Sequence, residues 1–264
     1  MALILITGAS DGLGRALAED LAAGGRHRLL LHGRDARRLD EVAEATGGET
    51  FKADFSSLAD VRRLAAEIAE SHDRLDVLVN NAGIGFHVEG STRQSSADGH
   101  ELRLAVNYLA PVLLTRELLP LLRRAAPARI VNVASIGQQP IDFDDPQLER
   151  GYTDVAAYCR SKLALISHTH DLAEELDGSG VTVNSVHPAT YMPTAMSRRS
   201  GMEIVDSLEK GVAATRRLVE APELAEVTGR YFDGEKEARA SEEAYDPDYR
   251  RRLSELTQKL LADF

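Results

Sequence analysis

The chain has 264 residues, a formal net charge of −11 and a single cysteine, Cys159. This length can bury a full core without disulfides or metals, and one cysteine excludes an intramolecular disulfide and indicates a reducing compartment. The acidic balance argues against nucleic acid or an anionic membrane as the main partner, and it favours a soluble cytoplasmic protein.

Short apolar runs alternate with helical patterns along the chain. The first ten residues, MALILITGAS, carry no basic leader, and their apolar run is too short for a signal segment or a membrane span, so a buried strand is predicted there. Strands are predicted at 3–7, 27–33, 49–55, 74–83, 128–135, 181–188 and 229–234. Helices are predicted at 13–24, 35–46, 57–71, 97–124 and 154–177, with a terminal helix capped by Asp246.

This alternation implies βαβ units and therefore an α/β fold: a doubly wound parallel sheet of about seven strands with helices on both faces. No linker rich in proline, glycine or serine divides the chain, so residues 1–264 are predicted to form a single domain. Two segments fit the pattern less well, an insertion at 136–157 and a candidate mobile segment at 189–210.

A glycine-rich turn follows the first strand. In TGASDGLG (7–14) the glycines are spaced G-x-x-x-G-x-G between a strand and a helix. Such glycines let the backbone approach a pyrophosphate, which then faces the helix N-terminus; a glycine-rich turn that binds no nucleotide is the alternative. The predicted cofactor contacts in this loop are Gly8, Ser10, Asp11, Gly12, Leu13 and Gly14.

The second predicted strand ends in HGRD, where an NAD site usually has an acidic residue for the ribose hydroxyls. Arg34 instead suits a 2′-phosphate, because its guanidinium pairs with phosphate oxygens in a bidentate fashion. Asp35 is expected to cap the next helix, and a ribose contact from it is the competing interpretation. The predicted cofactor is NADP(H).

Four motifs occur in a fixed order: TGASDGLG, NNAG (80–83), VNVAS (131–135) and YCRSK (158–162). With this ordered set the sequence resembles the short-chain dehydrogenase/reductase family over nearly its whole length, in the compact single-domain branch with a Rossmann-like sheet. The stretch IDFDDPQLERGY and the C-terminal residues are most similar to retinol-dehydrogenase-like and WW-domain-oxidoreductase-like members.

The resemblance implies a role for each matching position. Ser135, Tyr158 and Lys162 match the catalytic serine, tyrosine and lysine, and Asn107 matches a helix asparagine that holds a water in a proton relay. The threonine expected after Pro188 is either Thr190 or Thr194, and Ala189 replaces the usual glycine. The implied cofactor contacts outside the glycine loop are Asp54 and Phe55 at the adenine, Asn81, Ala82 and Gly83 along the cofactor, Pro188 and Thr190 near the nicotinamide, and Tyr158 and Lys162.

The chemistry also follows from residue types. A tyrosine with a pKa near about 10 recycles its proton slowly at neutral pH unless a cation stabilises the phenolate. Tyr158 and Lys162 are four residues apart and share a helix face, whereas Tyr152 has Ala156 at that spacing. Ser135 ends a predicted strand, where its hydroxyl can donate to a carbonyl oxygen.

The remaining polar candidates are weaker. His168 and His170 lie two residues apart on a helix and face different ways, so no metal site is predicted. Cys159 is interpreted as a packed thiol, because no activating base accompanies it. The apolar run from 108 to 122 is interpreted as core, although this family often forms subunit contacts there, so a dimer or tetramer is expected as the oligomer.

The leading hypothesis is an NADP(H)-dependent carbonyl reductase or alcohol dehydrogenase that acts on a moderately apolar small molecule. The alternatives are a non-catalytic NADP(H)-binding regulator on the same fold, and an epimerase or dehydratase that uses the same tyrosine and lysine.

The acidic stretch before Tyr158 has its own prediction. DDPQLERG is predicted to form a small helix with Asp145 as cap, Pro146 first and Gly151 at its end, and Asp154 is predicted to cap the next helix. Residues 137–153 are proposed as a wall of the substrate pocket facing 189–210, and a solvated surface insertion is the alternative.

Overall fold

The first strand, β1 (Ala2–Thr7), shows why the sheet is covered on both faces. In the computed structural model, which describes residues 1–87 and 92–264, Leu3 and Leu5 pack into one hydrophobic cluster and Ile4 and Ile6 into another. Successive side chains of a strand point to opposite faces, so an unbroken apolar run requires a helical layer on each side.

The strands of the described residues form one sheet in the order β3-β2-β1-β4-β5-β6-β7-β8. Neighbouring strands are parallel except β7 and β8, which are antiparallel. The further strands are β2 (His27–Gly33), β3 (Glu49–Lys52), β4 (Val77–Asn80), β5 (Ala128–Val133), β6 (Val181–His187), β7 (Tyr231–Asp233) and β8 (Lys236–Ala238). The predicted doubly wound α/β fold is confirmed; β8 was missed because its sequence, KEA, has no apolar pattern.

The helices form two layers. They are α1 (Gly12–Ala23), α2 (Ala36–Thr46), α3 (Leu58–Ser71), α4 (Leu102–Leu104), α5 (Ala110–Ala125), α6 (Asp154–Glu175), α7 (Ala195–Ser200), α8 (Leu208–Glu220) and α9 (Pro247–Leu260). Helices α1, α2 and α8 cover one face, whereas α3, α5 and α6 cover the other and α9 packs on α6.

A π-helical turn, Ala105–Leu109, joins α4 to α5 in one long apolar stretch. By length and composition the stretch Leu102–Ala125 could cross a membrane, but 78% of its most apolar window is buried within the protein. This burial supports the interpretation of the run from 108 to 122 as core.

The predicted small helix over DDPQLERG is wrong. The segment forms turns, and Leu148 has φ +50, outside the right-handed helical region, with its side chain buried. Asp145 nevertheless caps main chain, because its carboxylate accepts from Glu149 N (2.9 Å) and Arg150 N (3.0 Å). Its partners lie four and five residues ahead, rather than the two or three of a helix cap.

The cap of α6 also differs from the prediction. Thr153 is the N-cap and accepts from Ala156 N at 3.1 Å, while Asp154 lies in the first turn with only 2% of its surface exposed. Asp154 instead accepts a hydrogen bond from the buried guanidinium of Arg103 at 2.6 Å.

The segment 189–210 contains α7 and is closed into a loop by hydrogen bonds between residues 190–191 and 205–206. Thr190 N donates to a carboxylate oxygen of Asp206 at 2.8 Å, and Asp206 N donates to Thr190 O at 3.0 Å. The mobility of this segment stays a prediction.

The terminal helix α9 begins at the predicted cap, since Asp246 accepts from Asp248 N (2.8 Å) and Tyr249 N (3.3 Å). Its buried face joins the same cluster as α5 and α6, through Tyr249 and Leu253 among others. Tyr249 also reaches the insertion, because its hydroxyl accepts from Ile141 N at 2.9 Å.

We expect Leu253→Ala to lower the free energy of unfolding by about 2–5 kcal/mol, because it leaves a cavity where a leucine is 1% exposed. Gln258→Ala, on the exposed side of α9, should change it by less than about 0.5 kcal/mol. Urea unfolding measures both, and equal effects would contradict the packing of α9 described above.

Candidate active site

The carboxyl ends of β1, β4, β5 and β6 meet at one edge of the sheet, where the strand order reverses between β1 and β4. Ligands of open α/β sheets bind outside this edge. Gly8 comes after β1, Asn81 after β4, Ser135 after β5 and Pro188 after β6. The topology therefore brings the predicted cofactor and catalytic motifs together.

The glycine loop has a backbone that other residues do not readily adopt. Gly8 has φ +68 and Gly12 has φ +54, both in the left-handed region that favours glycine. A Cβ on Gly14 would lie 2.3 Å from the carbonyl oxygen of Gly8. The loop thus presents bare main chain at the N-terminus of α1, which fits a dinucleotide pyrophosphate. Within it, Asp11 is the cap of α1 and Leu13 points into the core.

Thr7 and Asn81 hold the glycine loop against the end of β4. The Thr7 hydroxyl donates to Val79 O (3.1 Å) and accepts from Asn81 N (2.9 Å) and Ala82 N (3.0 Å). The Asn81 amide donates to Thr7 O (2.7 Å) and Gly8 O (3.3 Å). Sequence reasoning assigned Asn81 to the cofactor and overlooked Thr7, although a threonine that ends an aliphatic strand was a usable signal.

His32 braces the same loop from β2. Its Nδ1 lies 3.4 Å from Gly8 N and its Nε2 lies 3.1 Å from Ala53 O, so the matching tautomer accepts at Nδ1 and donates at Nε2. The ring stacks on Phe55 with centroids 4.3 Å apart. Burial lowers the pKa of His32 to about 4, so the ring is neutral at physiological pH.

The polar residues at the predicted adenosine end are exposed or half-buried, whereas Phe55 is buried in the core. Arg34 is exposed after β2 and makes no ion pair within 1–87 and 92–264. Asp35 is the cap of α2 and accepts from Arg38 N at 3.2 Å, as predicted. Asp54 accepts from Ser56 N at 2.9 Å. Ser10 packs against Gly33, where a Cβ would meet its hydroxyl oxygen at 3.0 Å.

Ser135 and Tyr158 converge at Gly137. A Cβ on Gly137 would lie 3.6 Å from Ser135 Oγ and 3.9 Å from Tyr158 Cε1. Lys162 Nζ lies 5.8 Å from the centre of the Tyr158 ring and donates to Val133 O at 2.8 Å. The three predicted catalytic residues therefore form one group at the end of β5.

Burial governs the pKa values of this group. It raises the pKa of Tyr158 to about 12, while a hydrogen bond from Ser135 acts in the opposite direction. Burial also lowers the pKa of Lys162 to about 8. The Lys162 ammonium donates to the main chain of β5, and its predicted stabilisation of the Tyr158 phenolate stays a prediction. Tyr158 is protonated at neutral pH and can donate a proton.

Two residues outside the predicted set fix the main chain of Ser135. Its carbonyl oxygen accepts from the Tyr231 hydroxyl (3.2 Å) and from Gln138 Nε2 (3.1 Å). Gln138 in turn accepts from Ser241 N at 2.8 Å. Gln138 is a local partner, three residues from Ser135, whereas Tyr231 lies 96 residues from Ser135 and Ser241 lies 103 residues from Gln138, so no local pattern could have identified these two.

Asn107 lies in the π-helical turn with its side-chain amide fully engaged. Its Oδ1 accepts from Ile84 N (2.8 Å), and its Nδ2 donates to Ile84 O (3.0 Å) and Ser161 Oγ (3.1 Å). Pro111, four residues on, has no N–H, so the ordinary helical bond to the Asn107 carbonyl cannot form. A Cβ on Gly83 would lie 3.2 Å from Asn107 Oδ1 and 3.7 Å from Lys162 Nζ.

The two threonines after Pro188 have different surroundings. Thr190 Oγ1 lies 3.0 Å from His187 Nε2, so its hydroxyl is engaged within the segment. Thr194 is the cap of α7, and its Cγ2 would lie 3.1 Å from a Cβ on Gly12. Thr194 thus lies against the glycine loop, and Pro188 is buried at the end of β6.

The weaker candidates pack as expected. Burial raises the pKa of the Cys159 thiol, which fits an unreactive packed side chain. Burial lowers the pKa of His168 to about 4, and His170 packs against the Tyr245 ring.

Comparisons with known proteins agree with this geometry. A family model described as short chain dehydrogenase matches residues 2–204. Retinol dehydrogenase 13 of Homo sapiens is 37% identical over 275 residues, which cover 95% of this chain and 81% of that protein.

Two solved structures are similar over most of their length. The Pseudomonas aeruginosa RhlG/NADP active-site complex is 30% identical with a TM-score of 0.71, covering 88% of this chain and 94% of that one. The 3-ketoacyl-(acyl-carrier-protein) reductase from Brucella melitensis complexed with NADH is 26% identical with a TM-score of 0.69, covering 88% and 96%. The two neighbours thus differ in the cofactor that they hold.

We expect stability to fall between about pH 6.5 and pH 4, because unfolded His32 takes up a proton in that window and folded His32 does not. Uptake of one proton on unfolding gives a slope of up to about 1.4 kcal/mol per pH unit, and His168 adds a contribution of the same sign. In His32→Asn the slope measured by urea unfolding should be shallower. Gln258→Ala, which removes no titratable group, is the control and should leave the slope unchanged. An unaltered slope in His32→Asn would contradict the neutral bracing role.

Proposed function

The chain belongs to the short-chain dehydrogenase family, in its retinol-dehydrogenase-like branch, and we propose that it interconverts a carbonyl and an alcohol with NADP(H). The observation that carries the proposal is the convergence of Ser135 and Tyr158 on one point after β5, with Lys162 behind them. A nicotinamide bound at this edge would supply the hydride for reduction or accept it in oxidation.

Each residue of the group has a task that its surroundings support. Tyr158, protonated at neutral pH, donates to the substrate oxygen during reduction, and the Ser135 hydroxyl orients the same oxygen. Lys162, with a pKa of about 8, exchanges protons near neutral pH and returns one toward the tyrosine.

Asn107 supports the return of protons through its main chain. Its side chain is engaged by Ile84 and Ser161, so a relay water would bind the carbonyl oxygen, which the ordinary helical partner cannot reach because Pro111 lacks an N–H. The Asn107 side chain lies against Gly83, which also neighbours Lys162 Nζ, and this proximity supports a relay between the π-helical turn and the lysine.

The choice of NADP(H) rests on the end of β2. Arg34 is exposed and has no carboxylate partner in 1–87 or 92–264, so its guanidinium can pair with a 2′-phosphate. Asp35, the competing ribose ligand, already accepts from Arg38 N as a helix cap. The glycine loop, Asn81–Gly83 and Pro188 would hold the remainder of the cofactor.

Apolar side chains around the catalytic group favour an apolar substrate. Ile136, next to Ser135, is 59% exposed, and Phe86 packs edge-on against Tyr158 with centroids 5.3 Å apart. Met196 of α7 lies over Gly85, because a Cβ built on Gly85 would lie 2.6 Å from Met196 Cγ. The 37% identical relative is a dehydrogenase of retinol, itself an apolar alcohol, which is in keeping with this chemistry.

Tyr158→Phe should lower kcat for an apolar aldehyde with NADPH by about 100-fold or more, because the proton donor is lost. The dissociation constant of NADPH, followed by its fluorescence, should change little. Tyr245→Phe, at a ring that packs on His170 and Arg239 and whose hydroxyl accepts from Ala240 N, is the control. Undiminished turnover in Tyr158→Phe would refute the assigned role.

Arg34→Ala should raise the KM for NADPH by about ten-fold, the loss of roughly one charge-assisted contact, and leave the KM for NADH unchanged. Arg28→Ala, an exposed arginine at the other end of β2 that pairs with Glu49, should alter neither value. Equal effects of Arg34→Ala on both cofactors would argue against a 2′-phosphate contact.

A further inference from the structure

A buried ion pair lies beside the catalytic group and is not explained by the proposed reaction. Arg103 Nη2 donates to Asp154 Oδ2 at 2.6 Å, and the two side chains are 6% and 3% exposed. Arg103 Nη1 donates to the Tyr152 hydroxyl at 2.7 Å, which in turn donates to Asp154 Oδ1 at 2.9 Å. Glu101, a second buried acid, lies 3.8 Å from the guanidinium.

The ion pair also binds main chain on both sides of Phe86. Arg103 Nε donates to Gly85 O at 2.7 Å, and Asp154 Oδ2 accepts from His87 N at 3.1 Å. Phe86 lies between these two anchored residues, with its ring against that of Tyr158. The pair therefore sets where the Phe86 side chain can lie.

The Arg103–Asp154 ion pair is better suited to holding the main chain around Phe86 than to holding two helices together. Burying an ion pair costs several kcal/mol of desolvation, and an apolar pair of similar volume would hold α4 against α6 at least as well. An apolar pair could not donate to Gly85 O or accept from His87 N, and either group would then lose its partner.

We propose that Arg103 and Asp154 are positioning residues that clamp the main chain around Phe86, and that Phe86 is a specificity-determining wall of the substrate site. The second part rests on the proposed function. Phe86 is half-buried, its ring packs on Tyr158, and the adjacent Gly85 lies under Met196, so an apolar substrate at Tyr158 would contact the exposed face of the Phe86 ring. Tyr152, the tyrosine without a cation four residues on, serves this clamp by bridging Arg103 and Asp154.

The test compares kcat/KM for a bulky apolar aldehyde and for a small aldehyde, with NADPH as cofactor. In Phe86→Ala the ratio of kcat/KM for the bulky aldehyde to kcat/KM for the small aldehyde should fall by about ten-fold, since part of an aromatic contact is removed. Arg103→Lys should lower the ratio in the same direction, because an ammonium can pair with Asp154 but cannot also hold Gly85 O and Tyr152 in a fixed fork. The NADPH dissociation constant should stay within about two-fold in both.

The double variant Phe86→Ala/Arg103→Lys separates a clamp from general loss of stability. If Arg103 acts through Phe86, the double variant should have nearly the ratio of Phe86→Ala alone; multiplied losses would overturn the clamp. Arg250→Lys is the matched control, because Arg250 is also a largely buried arginine paired with two acids, Asp171 and Glu174, but it joins α9 to α6. It should leave the ratio unchanged.

Hydrogen exchange at the His87 amide tests the clamp without turnover. The amide should exchange slowly in the wild type and about ten-fold faster in Arg103→Lys, because its acceptor is less firmly held. A wild type without any aldehyde reductase activity would refute the proposed function. The exchange result would still show whether Arg103 and Asp154 hold the main chain around Phe86. A working enzyme whose ratio is unchanged in Phe86→Ala would refute only the wall.

Discussion

The close approach of the chain to itself at Gly8 is the constraint on which the site depends. Gly8 meets Gly14 from the start of α1, the Asn81 amide from the end of β4 and the His32 ring from β2. These contacts form at the point where the strand order reverses, and there the sheet leaves a crevice between adjacent crossovers. Three strands are thus tied to one loop, and the phosphate end of the site is held by contacts within the protein itself.

The catalytic end is held by a second set of buried polar contacts that reach the same crevice. Asn107 joins the loop after β4 to Ser161 of α6, and Tyr231 joins β7 to the main chain of Ser135. Buried polar groups are costly unless they are satisfied, so these partners specify one arrangement of helix and strand. In this arrangement the Ser135 hydroxyl and the Tyr158 ring both lie beside Gly137.

The sequence predicted those parts of the site that depend on local geometry. The glycine loop, the four-residue spacing of Tyr158 and Lys162, and the caps Asp35 and Asp246 are all set within one or two turns of chain. The predictions for 145–151 and Asp154 failed because distant residues decide those conformations. Leu148 is buried at a positive φ, and Asp154 is withdrawn from solvent by Arg103, 51 positions away. The bracing role of His32 likewise has no local signature, since its partners, Gly8 and Ala53, are more than 20 positions away.

The contact between α9 and the insertion has a consequence for the order in which the protein matures. Ile141 N is bound by the Tyr249 hydroxyl 108 residues later, and Phe143 packs edge-on against the Tyr249 ring with centroids 5.3 Å apart. During synthesis on the ribosome, the glycine loop and β1–β5 emerge long before this tyrosine does. A nascent chain can therefore pair β1–β5 early, but residues 141–143 gain these contacts only when α9 has been made and has docked.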